Sequence, residues 1–331
     1  ILTSLNQKKL VLTGESATPF LEFTAGGNEK RISMMVPITK GCNNFCSYCV
    51  VPMARGGLQS RNPKHILEEI KCGVKRGVRA VTLLGQNVNE YGKDVETHYD
   101  FADLLSDICN IDELLRVGFL TSHPKDTNKK ILQAMATNTK IVKHLHIPLQ
   151  SASNKILKAM NRNYTVERFV EIVETARNLM PEISVTSDVL LGFPGETEQD
   201  FYETLMLVQK LRFSELYIFK YSPRPGTKAY RLKDDVPKEE KQRRHKIILD
   251  TQKKISNEIM QSFSGQTCDV LIERKSVKKK EEFIGKNIQD FPIIVQCPDD
   301  IRGRIVKTKI FAYRTGLLYG LRYEECQWQK G

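Results

Sequence analysis

Three closely spaced cysteines constrain this chain more than any other feature of its sequence. Cys42, Cys46 and Cys49 follow the spacing C-x3-C-x2-C in a loop that Gly41 opens. Cysteine thiolates are the usual ligands of a cubane [4Fe–4S] cluster, and three of them leave one iron without a protein ligand. An open coordination position is typical of catalytic metal sites. A zinc site completed by a distant Cys or His fits the same spacing and stays open as an alternative.

Composition narrows the class of protein. The 331 residues carry a net charge of +12, with a pI of about 9.2, which favours a polyanionic partner such as nucleic acid. The eight cysteines do not resemble a disulfide framework, so we expect a reducing compartment, namely the cytoplasm. No apolar run approaches the ~18–20 residues needed to span a bilayer, so we expect no membrane partner.

Apolar runs that read as strands alternate with helical patterns over the first two thirds of the chain. This alternation predicts an α/β fold with parallel strands and right-handed crossovers, either doubly wound or an incomplete barrel. Polar residues follow the ends of several strands, which favours a partial (β/α)6 TIM-like barrel. The predicted strands are 32–37, 80–84, 115–120, 144–149, 183–191 and 215–219, and the predicted helices are 63–77, 100–109, 126–136, 165–179 and 197–211.

The last third of the chain changes character. A long charged helix is predicted up to Gln261, and short β-rich runs bounded by glycines follow it, which predicts a small all-β barrel. This part is basic, as expected of an RNA-binding module, although a solvated charged loop would explain its lysines equally well. The predicted units are a linker at 1–31, a core at 32–237, a connecting helix at 238–263 and the small barrel at 264–331.

Several long motifs resemble those of the radical SAM methylthiotransferases, over about residues 32–326. The stretch GQNVN is similar to the MiaB-type branch, which acts on N6-isopentenyladenosine beside the anticodon of tRNA. A branch acting on threonylcarbamoyl-adenosine and a non-catalytic Fe–S RNA-binding fragment are the alternatives. The motifs are GCNNFCSYCVVP (41–52), TLLGQNVN (82–89), TSHP (121–124), HIPLQS (146–151), KILKAMNRNYT (155–165), DVLLGFPGETEQDF (188–201) and FKYSPRPGT (219–227).

This resemblance implies a radical SAM barrel with a C-terminal TRAM domain, and it implies the cofactors. They are one [4Fe–4S] cluster with an open iron, S-adenosylmethionine (SAM), and a second [4Fe–4S] cluster in an N-terminal domain. The implied reaction cleaves SAM reductively and places a methylthio group on carbon 2 of the adenine. The implied partners are a tRNA anticodon stem-loop and a reducing electron-transfer protein, and we expect a monomer.

Site residues follow from matching the motifs. The three cysteines of the loop bind the first cluster, and no other residue is assigned a catalytic role. Arg162 suits the SAM carboxylate because its guanidinium presents a fork of donors. The SAM-binding candidates are Tyr48, Gly85, Gln86, Ser122, Gln150, Arg162, Asp188, Gly192, Phe193 and Pro194. The RNA-binding candidates are Arg55, Lys275, Lys278, Lys279 and Lys280.

The sequence departs from the family pattern in three places. No cysteine precedes Cys42, so we expect the domain with the second cluster to belong to an absent N-terminal part. The usual Arg-Gly-Arg-Glu after the cysteine loop is replaced by residues 55–58, Arg-Gly-Gly-Leu, which would alter contacts to substrate or SAM. Ala152 replaces a glycine of the Ser-Gly-Ser loop, which would add a methyl group near the expected SAM pocket.

Overall fold

The computed structural model describes residues 31–323 except 97, 278, 280 and 315. The predictions for residues 1–30, Lys278 and Lys280 therefore lie outside the described residues. The strands are β1 (Ser33–Pro37), β2 (Thr39–Lys40), β3 (Gln59–Ser60), β4 (Ala80–Leu84), β5 (Arg116–Phe119), β6 (His144–His146), β7 (Ser184–Leu191), β8 (Glu215–Lys220), β9 (Thr267–Lys275), β10 (Glu282–Lys286), β11 (Pro292–Gln296), β12 (Ile305–Arg314) and β13 (Leu317–Arg322). The helices are α1 (Val51–Arg55), α2 (Pro63–Lys75), α3 (Phe101–Cys109), α4 (Lys129–Thr137), α5 (Asn154–Ala159), α6 (Val166–Leu179), α7 (Glu198–Leu211) and α8 (Lys238–Gln261), and short 3-10 helices cover Val88–Glu90 and Lys228–Arg231.

Six parallel strands form the core sheet, in the order β1-β4-β5-β6-β7-β8. The two three-stranded halves join through a parallel bridge between Val117 and Ile141. There Val117 N donates to the carbonyl oxygen of Lys140 at 2.8 Å, and Val142 N donates to Val117 O at 3.0 Å. The strands follow one another in sequence, as crossover helices require. The predicted partial (β/α)6 barrel is confirmed.

The helices cover the convex face of the core sheet because their apolar stripes match the outward-facing residues of the strands. Val81 and Leu83 on β4, for example, are buried in the main hydrophobic core together with Ile66 and Ile70 of α2. Capping side chains fix the N-termini of the helices. Asn62 accepts a hydrogen bond from Lys64 N at the start of α2, and Thr197 and Asp200 form a capping box at the start of α7. The opposite face of the sheet is the concave face of the partial barrel.

Five strands close into a second unit, the C-terminal barrel (β9–β13), in the order β10-β11-β13-β12-β9. All pairings are antiparallel except β11 with β13. Its interior is apolar and includes Val270, Phe283 and Ile293. The prediction of a small all-β barrel is confirmed, although β10 was missed because its five residues include a glycine and two charged residues.

The C-terminal barrel packs against the N-terminal ends of the core strands. Lys143 N donates to Ile288 O at 2.7 Å, and Ser184 Oγ donates to Gln289 O at 2.8 Å. Arg116 Nη2 reaches Asp269 O at 3.3 Å. These groups at this end of the sheet are therefore paired within the protein, whereas Arg116 Nη1 is buried without a hydrogen-bond partner among the described residues.

The long helix α8 connects the two ends of the molecule. Near its start, Lys241 Nζ approaches the carbonyl oxygen of Tyr221, just past the C-terminal end of β8, at 3.5 Å. Near its end, Asn257 Oδ1 accepts from Tyr313 Oη at 3.0 Å, on the C-terminal barrel. At ~1.5 Å per residue, its 24 residues span about 36 Å. No helix in the described part of the chain is long and apolar enough to cross a membrane.

Candidate iron–sulfur and cofactor site

The cysteine loop is fixed by close backbone packing at the C-terminal end of β1. Gly41 has φ +73°, and a Cβ built there would lie 2.0 Å from Gly57 O, so only glycine fits. Its N–H donates to Gln86 Oε1 at 2.7 Å, and Cys42 N donates to Gly56 O at 3.3 Å. Gln86 thus positions the loop, a role that sequence reasoning did not assign to it.

Each of the three cysteine sulfurs lies at hydrogen-bonding distance from an N–H donor of the protein. Such bonds stabilise a thiolate and, in a cluster, help to set its reduction potential. The contacts are Asn44 N and Nδ2 to Cys42 Sγ at 3.5 and 3.6 Å, Arg162 Nη1 to Cys46 Sγ at 3.4 Å, and Val51 N to Cys49 Sγ at 3.5 Å.

Burial works against the thiolate form. It raises the pKa of Cys42 and of Cys49 above the usual thiol range, while the N–H of Asn44 and of Val51 partly offset that rise. Metal binding would supply the missing stabilisation, because a coordinating thiol is deprotonated by the metal itself. Among the described residues, no group of three or more His, Cys, Asp or Glu side chains converges on one metal-ion position. In a cubane the thiolates bind separate irons, so its ligands need not converge.

Arg162 is held rigidly beside the cysteine loop. Its side chain is buried, Nη2 donates to Pro148 O at 3.0 Å, and the guanidinium lies 5.2 Å from the centre of the Tyr164 ring. Tyr164 Oη in turn donates to Leu149 O at 2.6 Å. A fixed cation next to Cys46 suits a carboxylate ligand that binds at the cluster.

A buried carboxylate supports the other side of the loop. Asp126 Oδ2 accepts from Asn87 Nδ2 at 2.7 Å and from Asn44 Nδ2 at 3.4 Å, and Oδ1 accepts from Lys93 at 2.5 Å. The carboxylate therefore orients the Asn44 amide so that its N–H₂ group faces Cys42. Sequence reasoning assigned no role to either residue. The position of Asn44 between two cysteines could have indicated its role, whereas no feature of the sequence indicates that of Asp126.

Polar atoms without partners accumulate around this loop. In native proteins most buried polar atoms are paired, so an accumulation of unpaired ones indicates missing ligand or water. His123 is neutral there, since burial and then nearby cations, Arg162 foremost, lower its pKa to about 2. Within the described ranges, the buried side-chain atoms of this region without a hydrogen-bond partner are Thr39 Oγ1, Asn44 Oδ1, Asn87 Oδ1, Asn89 Oδ1, Glu90 Oε2, Ser122 Oγ and His123 Nε2.

A polar ladder crosses the concave face from the barrel end toward the cysteine loop. Thr186 Oγ1 lies 2.9 Å from His144 Nε2 and 3.0 Å from His146 Nδ1. His146 Nε2 continues to Asp188 Oδ1 at 3.6 Å. Gln150 closes the ladder, because its N–H donates to Asp188 O at 2.7 Å. The backbones of Asp188 and Gln150 are therefore adjacent at this end of the sheet.

An aromatic cluster follows β7. The Phe193 ring lies between those of Tyr48 and Tyr221, at centroid distances of 6.4 and 5.3 Å. Gly192 N donates to Glu196, whose carboxylate pairs with Arg244 at 2.8 Å, so the turn that carries Pro194 is braced from behind. The rings meet edge to face, and Phe193 is fully buried among them, so they form a small packed cluster beside the turn.

The structure brings most candidate residues to one end of the core sheet. Gly85 lies there against Thr39, with a built Cβ only 2.1 Å from Thr39 Oγ1. Ala152 packs into the main hydrophobic core, so its methyl group contributes to the fold. Arg55 is exposed at the end of α1. Lys275 and Lys279 belong to the C-terminal barrel, at the opposite end of the sheet, where Lys279 pairs with Glu282 at 2.9 Å.

Comparison with known proteins decides the family. The family model described as the Radical SAM superfamily matches residues 36–208, which includes the cysteine loop and the core sheet up to α7. The chain belongs to the radical SAM superfamily. A second model, the TRAM domain, matches residues 261–320, which correspond to the C-terminal barrel. Both parts of the resemblance are thus confirmed.

Curated relatives of this radical SAM chain share one name. A protein of Carboxydothermus hydrogenoformans is 45% identical over 282 residues, which cover 85% of this chain and 64% of the relative. A protein of Desulfitobacterium hafniense is 41% identical over 297 residues, covering 90% and 66%. Each is named tRNA-2-methylthio-N(6)-dimethylallyladenosine synthase. The chain spans about two thirds of the length of these relatives.

Solved structures support the fold. Coproporphyrinogen III oxidase (HemN) from Escherichia coli, described as a radical SAM enzyme, superposes with a TM-score of 0.50 at 14% identity, covering 87% of this chain and 68% of that one. The methyltransferase TsrM from Kitasatospora setae, with cobalamin and a [4Fe–4S] cluster bound, also gives 0.50, at 16% identity, covering 59% and 38%. At these identities the likeness concerns the fold alone.

The superfamily uses a [4Fe–4S] cluster and SAM, and the residues of this radical SAM chain fit both. Cys42, Cys46 and Cys49 offer three thiolates, each with an N–H donor nearby. The unpaired oxygens beside Cys42 and the fixed cation at Cys46 provide acceptors and a donor of the kinds that an amino acid moiety needs. The cofactors expected from the sequence are therefore confirmed at the level of the superfamily.

Proposed function

We propose that this chain is the catalytic and RNA-binding part of a tRNA methylthiotransferase that modifies carbon 2 of N6-isopentenyladenosine (the dimethylallyl form) next to the anticodon. The observation that carries the proposal is the joining of two units. A three-cysteine loop stands at the C-terminal end of a parallel core sheet, and a closed barrel matching the TRAM domain is fixed at its other end. Relatives that align with 85–90% of this chain carry the name tRNA-2-methylthio-N(6)-dimethylallyladenosine synthase.

In this proposal the chain's own residues bind and orient the cofactor. A bound cluster would supply one electron for reductive cleavage of SAM. Arg162 pairs with the SAM carboxylate, while Gly85 and Ser122 face its methionine end. Asp188 and Gln150 hold the ribose, and Tyr48, Phe193 and the Gly192–Pro194 turn hold the adenine. The core strands shield the reacting groups from water on the side that they cover.

Other parts of the molecule support the partner assignments. We infer that residues 32–237 act as the catalytic unit, 238–263 as the connector and 264–331 as the RNA-binding unit. Lys275 and Lys279, with Arg55 near the site, attract the phosphate backbone, so binding weakens as salt rises. A reducing electron-transfer protein reaches the cluster of a monomeric enzyme in the cytoplasm, where thiols stay reduced.

The test uses the full chain, reconstituted anaerobically with iron and sulfide. The protein is incubated with SAM, a reductant and one of three anticodon stem-loops, carrying N6-isopentenyladenosine, threonylcarbamoyl-adenosine or unmodified adenosine. We expect about four irons per chain, and methionine release that the isopentenylated RNA stimulates most. Stimulation by the threonylcarbamoyl RNA alone would assign another substrate, and RNA binding without SAM cleavage would reduce the chain to a binding module.

A further inference from the structure

Two aromatic side chains on β8 are exposed although they belong to a strand of the core sheet. Tyr217 and Phe219 are 45% and 52% exposed. Leu216 and Ile218, which alternate with them, pack into the main hydrophobic core. Side chains of successive strand residues point to opposite faces, so Tyr217 and Phe219 face the concave side. Large aromatic groups exposed inside a barrel indicate a binding surface.

These rings lie beside the proposed SAM site. Tyr217 is the cross-strand partner of Asp188 in the β7–β8 ladder. Its ring also makes an edge contact with that of His146, at a centroid distance of 5.8 Å. A group that lies on the Tyr217 ring is therefore a neighbour of whatever Asp188 binds.

The other edge of the concave face is apolar as well. Met35 on β1 is 68% exposed, whereas its neighbour Val36 is fully buried in the core. Within the described residues, β1 and β8 are the two edge strands of the core sheet, so the barrel is open between them. Methionine adapts its shape to irregular aliphatic groups, and it contacts aromatic rings favourably.

On the basis of the function proposed above, we propose that Tyr217, Phe219 and Met35 form a recognition wall for the flipped-out adenine and its N6 dimethylallyl group. An enzyme that reacts at carbon 2 must take the base out of the stack, and aromatic side chains replace the lost stacking. The wall is apolar, which suits a hydrocarbon substituent. A threonylcarbamoyl group would bring a carboxylate against it without a partner and next to Asp188.

The experiment measures the affinity of the reconstituted full chain with SAM for two anticodon stem-loops, one with N6-isopentenyladenosine and one with adenosine. Tyr217→Ala should weaken binding of the isopentenylated RNA about tenfold, the lower range of one lost base stack. Phe219→Ala and Met35→Ala should bring the affinities for the two RNAs closer together. Tyr217→Phe should bind like the wild type, since only the contact of its hydroxyl with Glu215 is lost.

Matched controls come from the outer surface. Tyr202 and Met206 on α7 are 52% and 46% exposed, and Tyr202→Ala and Met206→Ala should change neither affinity nor discrimination. If the wild type distinguishes the two RNAs and the wall variants do so equally well, the wall is wrong while the proposed function stands. If the wild type shows no preference for the isopentenylated RNA, the proposed function itself is overturned.

Discussion

The two ends of the core sheet are built from the same strands, but their polar groups are hydrogen-bonded to different extents. At the N-terminal end, the C-terminal barrel accepts hydrogen bonds from Lys143, Ser184 and Arg116. At the C-terminal end, seven buried polar atoms from three successive loops lack a partner in the described chain. One end is thus bonded to the C-terminal barrel, with Arg116 Nη1 as an unpaired exception among the described residues, and the other carries the accumulation of unpaired atoms that a ligand site has.

This difference separates groups that stabilise the fold from groups that serve chemistry. Leaving a buried polar atom unpaired costs about 1–3 kcal/mol. A cluster of such atoms is tolerated where hydrogen bonds to a ligand compensate for this free-energy cost. The cluster of unpaired atoms therefore indicates the position of the site. Three predictions follow for the two ends of the sheet, from the cysteine loop down to the sealed end.

The largest effect is expected from the cysteine loop. Replacing Cys42, Cys46 or Cys49 singly with Ala should reduce the iron content of the reconstituted protein from about four per chain to nearly none. Cys72→Ala, on the exposed face of α2, should keep the full content. Iron and labile sulfide analysis measures both. Full iron content in any loop variant, or loss of iron in Cys72→Ala, would contradict the assignment of the three loop cysteines as the cluster ligands.

A smaller effect is expected from the donors around the sulfurs. Asn44→Ala removes a side-chain N–H near Cys42 Sγ, so the midpoint potential of the cluster should become more negative, because N–H donors stabilise the reduced state. Potentiometric titration followed by EPR measures the shift. Asn161→Ala is the control, because Asn161 also touches the loop, at Phe45 O, but no sulfur. Equal potentials in all three proteins would show that Asn44 acts only on loop geometry.

The smallest effect is expected at the sealed end. Burial lowers the pKa of His144 to about 4, with Asp290, His146 and Lys286 nearby. The unfolded chain protonates this ring at about pH 6.5. The stability that the neutral ring contributes is therefore present above pH 6.5 and is lost as the pH falls toward 4.

His144→Asn should flatten this part of the pH profile of the denaturation midpoint, measured in urea between pH 7 and 4.5. His98→Asn, at an exposed position, is the control and should leave the profile as in the wild type. An unchanged slope in His144→Asn would mean that burial does not hold the ring neutral.

Sequence reasoning found the elements whose patterns are local. Apolar runs such as 80–84 and 183–191 became strands within a residue or two, and the helix at 197–211 began at its capping residue. The short helices α1 and α5 were missed because five or six residues carry too little periodicity. The cysteine loop was evident because its ligands are close in sequence.

Contacts at the candidate site between segments that are distant in sequence could not be predicted from local patterns. The pairing of Tyr217 with Asp188 depends on the register of two strands, which no residue spacing specifies. Asp126 reaches Asn44 across 82 residues only because the ends of β1 and β5 meet at one edge of the sheet. These contacts depend on the tertiary structure, so the sequence pattern alone does not predict them.

The length of α8 has a consequence for the choice of substrate. The helix is one stiff rod of about 36 Å that contacts the segment after β8 near its start and the C-terminal barrel near its end, so the barrel stays at the end of the core sheet opposite the cysteine loop. Under the proposed function, an RNA gripped at the C-terminal barrel must place its reacting base at the opposite end of the core sheet. For an RNA held at both points, selection therefore acts on the length and stiffness of the nucleic acid between them, independently of the base.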